Sequence, residues 1–303
     1  MSGVPPYNHI FTLGARGTEN ILDDYVYVQE KVDGSQFRWG VTAEGELVFA
    51  SKSVPINPDC PPGMFKEAVE HIVRRFAEVG CIEDVFFYGE VLQRPRHNVL
   101  KYDDTPLNHI VLFDVYNPLN GEYEPHNVDY WASWWDIDSI PVLAQGMFVN
   151  MEVLNGLLET ESYLGGQKIE GVVIKNYNQK VFMNNAMHYL YAKLVRQEFK
   201  EHMQGKREAT TKETIESLVA GYRTEARWQK AVIHLREQGL LSHDPKDIGP
   251  LIKEVLNDID LEKDDITDFV MKRVMSMIHK EATKGFPEWY KRQLMEVADA
   301  TEN

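Results

Sequence analysis

Tyr25-Val26-Tyr27-Val28-Gln29-Glu30-Lys31-Val32-Asp33-Gly34-Ser35-Gln36-Phe37-Arg38-Trp39-Gly40-Val41 is the stretch on which the fold turns. Tyr25–Glu30 and Gln36–Val41 are rich in β-branched and aromatic residues and read as strands. Between them Asp33-Gly34 is a turn signal. The stretch therefore delivers one lysine, Lys31, to the end of a strand. A lysine is a poor nucleophile at neutral pH because its unperturbed pKa is about 10.4. Nearby cations and desolvation lower that value and make the amine useful. A lone Lys-x-Asp-Gly fits an ordinary hairpin as well, so the weight falls on its downstream partners and their order. These are Phe87-Tyr88-Gly89-Glu90, Phe113-Asp114, Glu170-Gly171-Val172-Val173-Ile174-Lys175 and Ala192-Lys193-Leu194-Val195. Each sits on or beside an expected strand, where a rigid scaffold can fix geometry. Together they offer one nucleophile, two later lysines to crowd it, and carboxylates able to hold a metal ion.

Working outward, Glu46–Ala50, Val85–Leu92, His109–Tyr116, Glu170–Tyr177 and Tyr189–Val195 also read as strands. Met64–Val79 carries apolar residues at helical spacing and stops at Gly80. Short strands separated by turn residues indicate packed antiparallel sheets and not a βαβ array. After Gly205 the pattern becomes helical. Thr224 is placed to cap a helix that stops at Gly239, and Asp247–Leu256, Asp264–Thr283 and Pro287–Ala298 read as further helices. The expected fold class is α+β. Residues 1–204 would form a domain of antiparallel sheets with flanking helices, residues 205–303 an all-helical domain, with the join near Met203–Glu208.

The chain has 303 residues, 43% hydrophobic and 26% charged, with a net charge of −15. These values describe a globular protein and argue against a general nucleic-acid coat protein, while leaving a nucleic-acid enzyme with local basic patches open. Residues 205–303 carry 16 Lys/Arg against 19 Asp/Glu, so residues 1–204 hold −12 of the −15. No apolar run reaches the length of a membrane span, and Met1–Pro6 lacks the features of a secretory signal. A cytoplasmic, monomeric protein is expected, with Cys60 and Cys81 as reduced thiols. No Cys/His cluster has zinc spacing.

The ordered set resembles the motifs of the covalent nucleotidyltransferases, which comprise ATP-dependent RNA ligases, DNA ligases and mRNA capping enzymes. Glu30–Ser35 is similar to motif I, Phe49–Ser53 to motif Ia, and Phe87–Glu90 to motif III. Leu112–Tyr116 is similar to motif IIIa, Ile169–Lys175 to motif IV, and Tyr191–Arg196 to motif V. Tyr222-Arg223-Thr224-Glu225-Ala226-Arg227 further resembles the C-terminal domain of phage-type nick-sealing RNA ligases. The resemblance implies an ATP-grasp-like ligase domain followed by a helical RNA-binding domain. It also implies a three-step reaction: Lys31 takes AMP from ATP, passes it to an RNA 5′-phosphate, and a 3′-hydroxyl displaces it.

By the same resemblance, Lys175 and Lys193 would contact the α-phosphate and depress the Lys31 pKa. Glu170 would hold Mg²⁺ or Mn²⁺, Glu90 and Lys52 would contact the ribose, and Phe113 would stack on adenine. Glu30 would help read the adenine edge, and Asp33 would orient Lys31 or assist joining. Phe113 reads equally as plain core. Arg94 and Arg96 in a basic loop, and Arg223, Arg227 and Lys230 at helical spacing, read as RNA phosphate contacts or as solvated surface. Trp134 and Trp135 read as core or interface, and Met271–Met277 as helix core. Two positions depart from the family pattern. Lys52 stands where Arg is common, and Val195 replaces the second lysine of a Lys-x-Lys pair, with Arg196 on the opposite strand face. The expected substrate is RNA with 5′-phosphate and 3′-hydroxyl ends at a duplex nick. DNA ligase, capping guanylyltransferase and a non-catalytic nucleic-acid-binding protein are the alternatives.

Overall fold

The long central strands bury both of their alternating faces, and the chain meets that requirement by building two sheets. The structure is a computed structural model that describes residues 3–80, 85–183, 186–196, 219, 222–261, 263–288 and 290. The strands are β1 (Phe11–Thr12), β2 (Val26–Lys31), β3 (Ser35–Val41), β4 (Leu47–Ser51), β5 (Pro55–Ile56), β6 (Val85–Val91), β7 (Ile110–Asn117), β8 (Glu122–Tyr123), β9 (Asp138–Ser139), β10 (Val142–Gly146), β11 (Gly171–Met183) and β12 (Ala186–Val195). The helices are α1 (Lys66–Val79), α2 (Val128–Trp135), α3 (Met151–Leu157), α4 (Glu225–Glu237), α5 (Ile248–Leu261) and α6 (Lys263–Ala282).

The first sheet has the order β1-β12-β11-β2-β10 and the second β5-β4-β3-β6-β7-β8, with β9 paired to β7. Apart from the parallel pairings of β1 with β12 and of β9 with β7, the ladders are antiparallel. The main core lies on the outer face of the second sheet, where Phe37, Trp39, Phe87 and Val115 pack under α1 and α2. The outer face of the first sheet buries Val26, Val28, Val172, Ile174 and Ala192 against Leu154 of α3. The two inner faces meet through Val32, Leu92, Val111 and Ile140, with Phe113 against them.

Helix α1 starts after a short 3₁₀ turn at Gly63–Phe65 and ends at Gly80, whose φ of 78° suits glycine. Thr224 caps α4, its side chain accepting from Arg227 N, as expected from sequence. Helices α2 and α3 were not expected. Trp135 is buried in the core and Trp134 packs against it.

The chain divides into two compact units, Met1–Val255 and Leu256–Asn303. The join expected near Met203–Glu208 lies outside the described residues, as do Cys81 and most of the expected helix Pro287–Ala298. Cys60 is an exposed free thiol. In the second unit the Met271–Met277 stretch of α6 is not the core expected, since Met271 and Met275 are exposed. No sheet among the described residues of that unit covers them. No described helix is long and apolar enough to cross a membrane.

Candidate active site

Register fixes the site. In the first sheet Lys31 stands opposite Gly171, which stands opposite Val195, and Val173 stands opposite Lys193. Directly opposed residues share a face, so Gln29, Lys31, Val173, Lys175, Tyr191, Lys193 and Val195 all face the second sheet. Gly171 lies where only glycine fits, because a Cβ there would come within 2.3 Å of the Leu194 carbonyl oxygen. That close approach draws Glu170, just before β11, up to the end of β2.

There the Lys31 Nζ donates to Glu170 Oε2 at 2.6 Å, with the two side chains 28% and 14% exposed. Burial pulls the Lys31 pKa down, but the attraction and hydrogen bond of Glu170, with the charges of Asp33 and Glu90, outweigh it and hold the pKa above the ordinary lysine value. This reverses the depressed pKa expected from sequence. The charges that raise it are those of carboxylates, and Lys193 acts on one of them, Glu170. Lys175 is opposite Tyr27, four residues along β11 from Lys31's partner Gly171, or about 13 Å of strand. Glu170 is itself shifted upward by burial, a shift opposed by Lys31 and Lys193. Glu90, on the inner face of β6, is pushed up to about 8 by burial, opposed by Lys31 and reinforced by Glu237, Glu170 and Asp33.

The far end of this face is aromatic. Between β6 and β7 the register skips from Tyr88–Asp114 to Gly89–Leu112, which makes Phe113 an unpaired bulge residue. The freed Phe113 carbonyl accepts from Gln29 Nε2 at 3.2 Å and from Lys175 Nζ at 2.9 Å. Lys175 also binds Asp114 Oδ2 at 3.0 Å and lies 5.0 Å from the Phe113 ring centroid. Tyr7 donates to Asp114 at 2.6 Å and Tyr177 at 3.2 Å. The pair is almost wholly buried, and burial pushes Asp114 up and Lys175 down. Lys175 thus supports Phe113 from within this cage.

Asp33 is held by the loop that follows β6. Its carboxylate accepts from the Val99 and Leu100 backbone amides, both at 2.7 Å, and its own amide donates to the Tyr102 hydroxyl at 2.9 Å. Asn98 donates to the Gly34 carbonyl at 2.6 Å, and Ser35 Oγ lies 3.0 Å from His97 Nε2. Burial, with Arg236 and Arg94, pushes the His97 pKa down to about 4, so the ring is neutral at pH 7. The loop after β6 therefore clamps the turn that follows Lys31.

Of the remaining expected residues, Lys193 shares the Lys31 face and Lys52 is exposed just beyond β4. Glu30 points the other way, buried and accepting from Ser162 Oγ at 2.5 Å and Tyr163 N at 3.1 Å. Alternation dictates this, since Glu30 neighbours Lys31 on one strand. Arg94, Arg96 and Arg223 are exposed, Lys230 is half-buried, and Arg227 is wholly buried with its guanidinium 5.3 Å from the Tyr222 ring centroid. Sequence reading gave no role to Asp114, Tyr7, Tyr102 or Glu237. Only Asp114 carried a signal, as a charged residue inside an apolar strand.

Among the described residues no three His, Cys, Asp or Glu side chains group as a metal cage. An ion of the Mg²⁺ type needs only one or two carboxylates and completes its shell with water and phosphate oxygens, so a single group such as Glu170 could serve it.

The RNA ligase family model matches residues 24–195, more than half of the chain and all of the site strands β2 to β12. No curated protein matches the sequence. Among solved structures, the chain is similar to a Naegleria gruberi RNA ligase point mutant without ligand, at 13% identity and TM-score 0.47, covering 63% of this chain and 55% of that one. A second mutant of that ligase with AMP and Mn gives 12% identity, TM-score 0.49 and coverage of 65% and 57%. The same ligase with PPi gives 14%, 0.46, and 66% and 57%. The chain thus spans little more than half the length of these structures. On the family match across its site strands, the chain belongs to the RNA ligase family.

Proposed function

We propose that the protein is an ATP-dependent RNA ligase of the phage-type nick-sealing kind, acting through a covalent lysyl-AMP on Lys31. The observation that carries this reading is the hydrogen-bonded Lys31–Glu170 pair at 2.6 Å, on one sheet face with Lys193. An amine in direct contact with a carboxylate has a route for its proton, and a nucleophilic amine needs one.

Lys31 gives its proton to Glu170, and Nζ attacks the α-phosphorus of ATP. The P–N bond forms as the bond to the bridging oxygen breaks and pyrophosphate leaves. A 5′-phosphate oxygen of the RNA then attacks the same phosphorus, and the P–N bond breaks to return the proton-accepting amine. Finally the 3′-hydroxyl attacks the 5′-phosphate, loses its proton and displaces AMP. Charge spreads over phosphate oxygens throughout, so pre-placed cations supply most of the stabilisation. Lys193 supplies one at the phosphate end. Glu170 would hold a divalent ion, which when bound would add to the neutralisation of phosphate charge. Phe113, raised on its bulge and backed by Lys175, forms the adenine platform. Glu90 and Lys52 face the ribose. Lys175 therefore acts at the base and not at the α-phosphate.

Residues 1–204 serve in this reading as the nucleotidyltransferase domain and residues 205–303 as the helical RNA-binding domain. A-form shape and 2′-hydroxyls mark the substrate, with the exposed Arg94, Arg96 and Arg223 and the half-buried Lys230 as phosphate contacts. Sealing of 5′-labelled nicked duplexes tests the assignment. An RNA nick with 5′-phosphate and 3′-hydroxyl ends is sealed with ATP, and an all-DNA nick is sealed far more slowly. Equal or faster sealing of DNA would make the protein a DNA ligase.

A further inference from the structure

Helix α4 belongs to the same compact unit as the sheets, and its last turn ends among the groups around Lys31. His234 Nε2 lies 2.7 Å from Ser53 Oγ, beside Lys52. Arg236 donates to Asn98 Oδ1 at 2.6 Å, and Asn98 in turn binds Gly34. Glu237 lies near enough to Ser35 for that side chain to pull its pKa down. One helix end thus touches the clamp loop and the segment after Lys52. Glu237 itself is only 6% exposed.

A carboxylate there is unfavourable for the helix. The C-terminus of a helix carries partial negative charge, which favours cations, and burying a carboxylate costs free energy unless it is compensated. Burial raises the Glu237 pKa, against the pull of Ser35, His234, Lys52 and Arg236. Glu237 lies close enough to Glu90 for its charge to raise that group as well. Two carboxyl groups and Lys52 therefore gather on one side of the site, where a vicinal diol would supply two O–H donors.

We propose that Glu237 is a second ribose-binding carboxylate, carried over the site by α4 so that Glu237 and Glu90 accept hydrogen bonds from the 2′- and 3′-hydroxyls of the bound nucleotide. The inference rests on the reading in which Lys31 is adenylylated with the ribose beside Glu90.

The test is single-turnover adenylylation of the full chain, followed by intact mass, with ATP, 2′-deoxyATP and 3′-deoxyATP. Native protein is compared with Glu237→Ala and Arg236→Ala. A lost hydrogen bond of about 1.4 kcal/mol corresponds to about tenfold. Glu237→Ala is expected to weaken the reaction with ATP about tenfold, mainly through KM, and to leave one deoxy analogue unchanged, so that discrimination collapses. Arg236→Ala, which loosens the helix without removing the carboxylate, is expected to slow all three nucleotides alike. The proposal is overturned if Glu237→Ala behaves as Arg236→Ala does, retains native discrimination, or speeds adenylylation by uncovering the site. If native protein forms no lysyl-AMP with any nucleotide, the underlying ligase reading fails and this inference falls with it. An adduct in native protein with unchanged discrimination in Glu237→Ala sinks the inference alone.

Discussion

At the residue scale the site is governed by carboxylates whose pKa values burial raises against the pull of one lysine. Glu90 is the clearest, at about 8 against an ordinary 4.5. The folded state therefore binds more protons at Glu90 than the unfolded chain does between pH 4.5 and 8, and this residue's contribution to stability falls as pH rises through that window. Glu90→Gln cannot ionise, so its stability relative to native protein should rise from pH 4.5 to 8 and then level off. With each pKa unit equivalent to about 1.4 kcal/mol, the gain should be about 2 kcal/mol, reduced from the full shift because Glu90 is only half-buried. Urea unfolding across pH measures it, and a pH-independent difference would contradict the assignment. The Asp114–Lys175 pair makes a sharper claim. Breaking a buried pair from one side strands the other charge at a cost of about 3–5 kcal/mol. Asp114→Asn should therefore lose about that much in chemical denaturation, and Lys175→Met combined with Asp114→Leu should lose less. The sequence showed Lys31, Glu90, Glu170 and Lys193 plainly, because each stands next to a glycine or within a short recurring motif. It did not show that Lys175 is enclosed by Asp114, Tyr7 and Tyr177, since those contacts join positions 61 to 107 apart and follow from packing alone.

At the element scale two local irregularities aim the chemistry. The bulge at Phe113 turns both Phe113 and Asp114 toward the first sheet, and Gly171 lets β11 and β12 approach closely beside Lys31. Gly171→Ala forces a Cβ against the Leu194 backbone, which cannot yield as a flexible side chain would. The expected cost is about 1–3 kcal/mol of stability, with a larger loss of adenylylation because Glu170 and Lys193 sit on the displaced strands. Native stability and activity in this variant would show that the approach is not required. The long strands and α1 were legible from period and from Gly80. Helices α2 and α3 were not. Each spans eight residues or fewer, and the aromatic run Tyr130-Trp131-Ala132-Ser133-Trp134-Trp135 favours strand by propensity until packing under the second sheet decides it. The docking of α4 was likewise hidden, although its cap at Thr224 was readable, because a cap states where a helix begins and not what its far end touches.

At the scale of the whole molecule, −12 of the charge of −15 lies in residues 1–204, which hold the site strands. Acidic groups crowd Lys31, so in the proposed reaction Lys193 and a cation arriving with the nucleotide would offset them, and the exposed arginines would take the RNA phosphates. Both features matter to catalysis only with Lys31 as the covalent centre. Intact mass after incubation with ATP and Mg²⁺, for native protein and Lys31→Ala, tests that directly. The account predicts a gain of one AMP in native protein, reversed by added pyrophosphate and absent from the variant. An unshifted native mass, or an adduct that persists in Lys31→Ala, would contradict it.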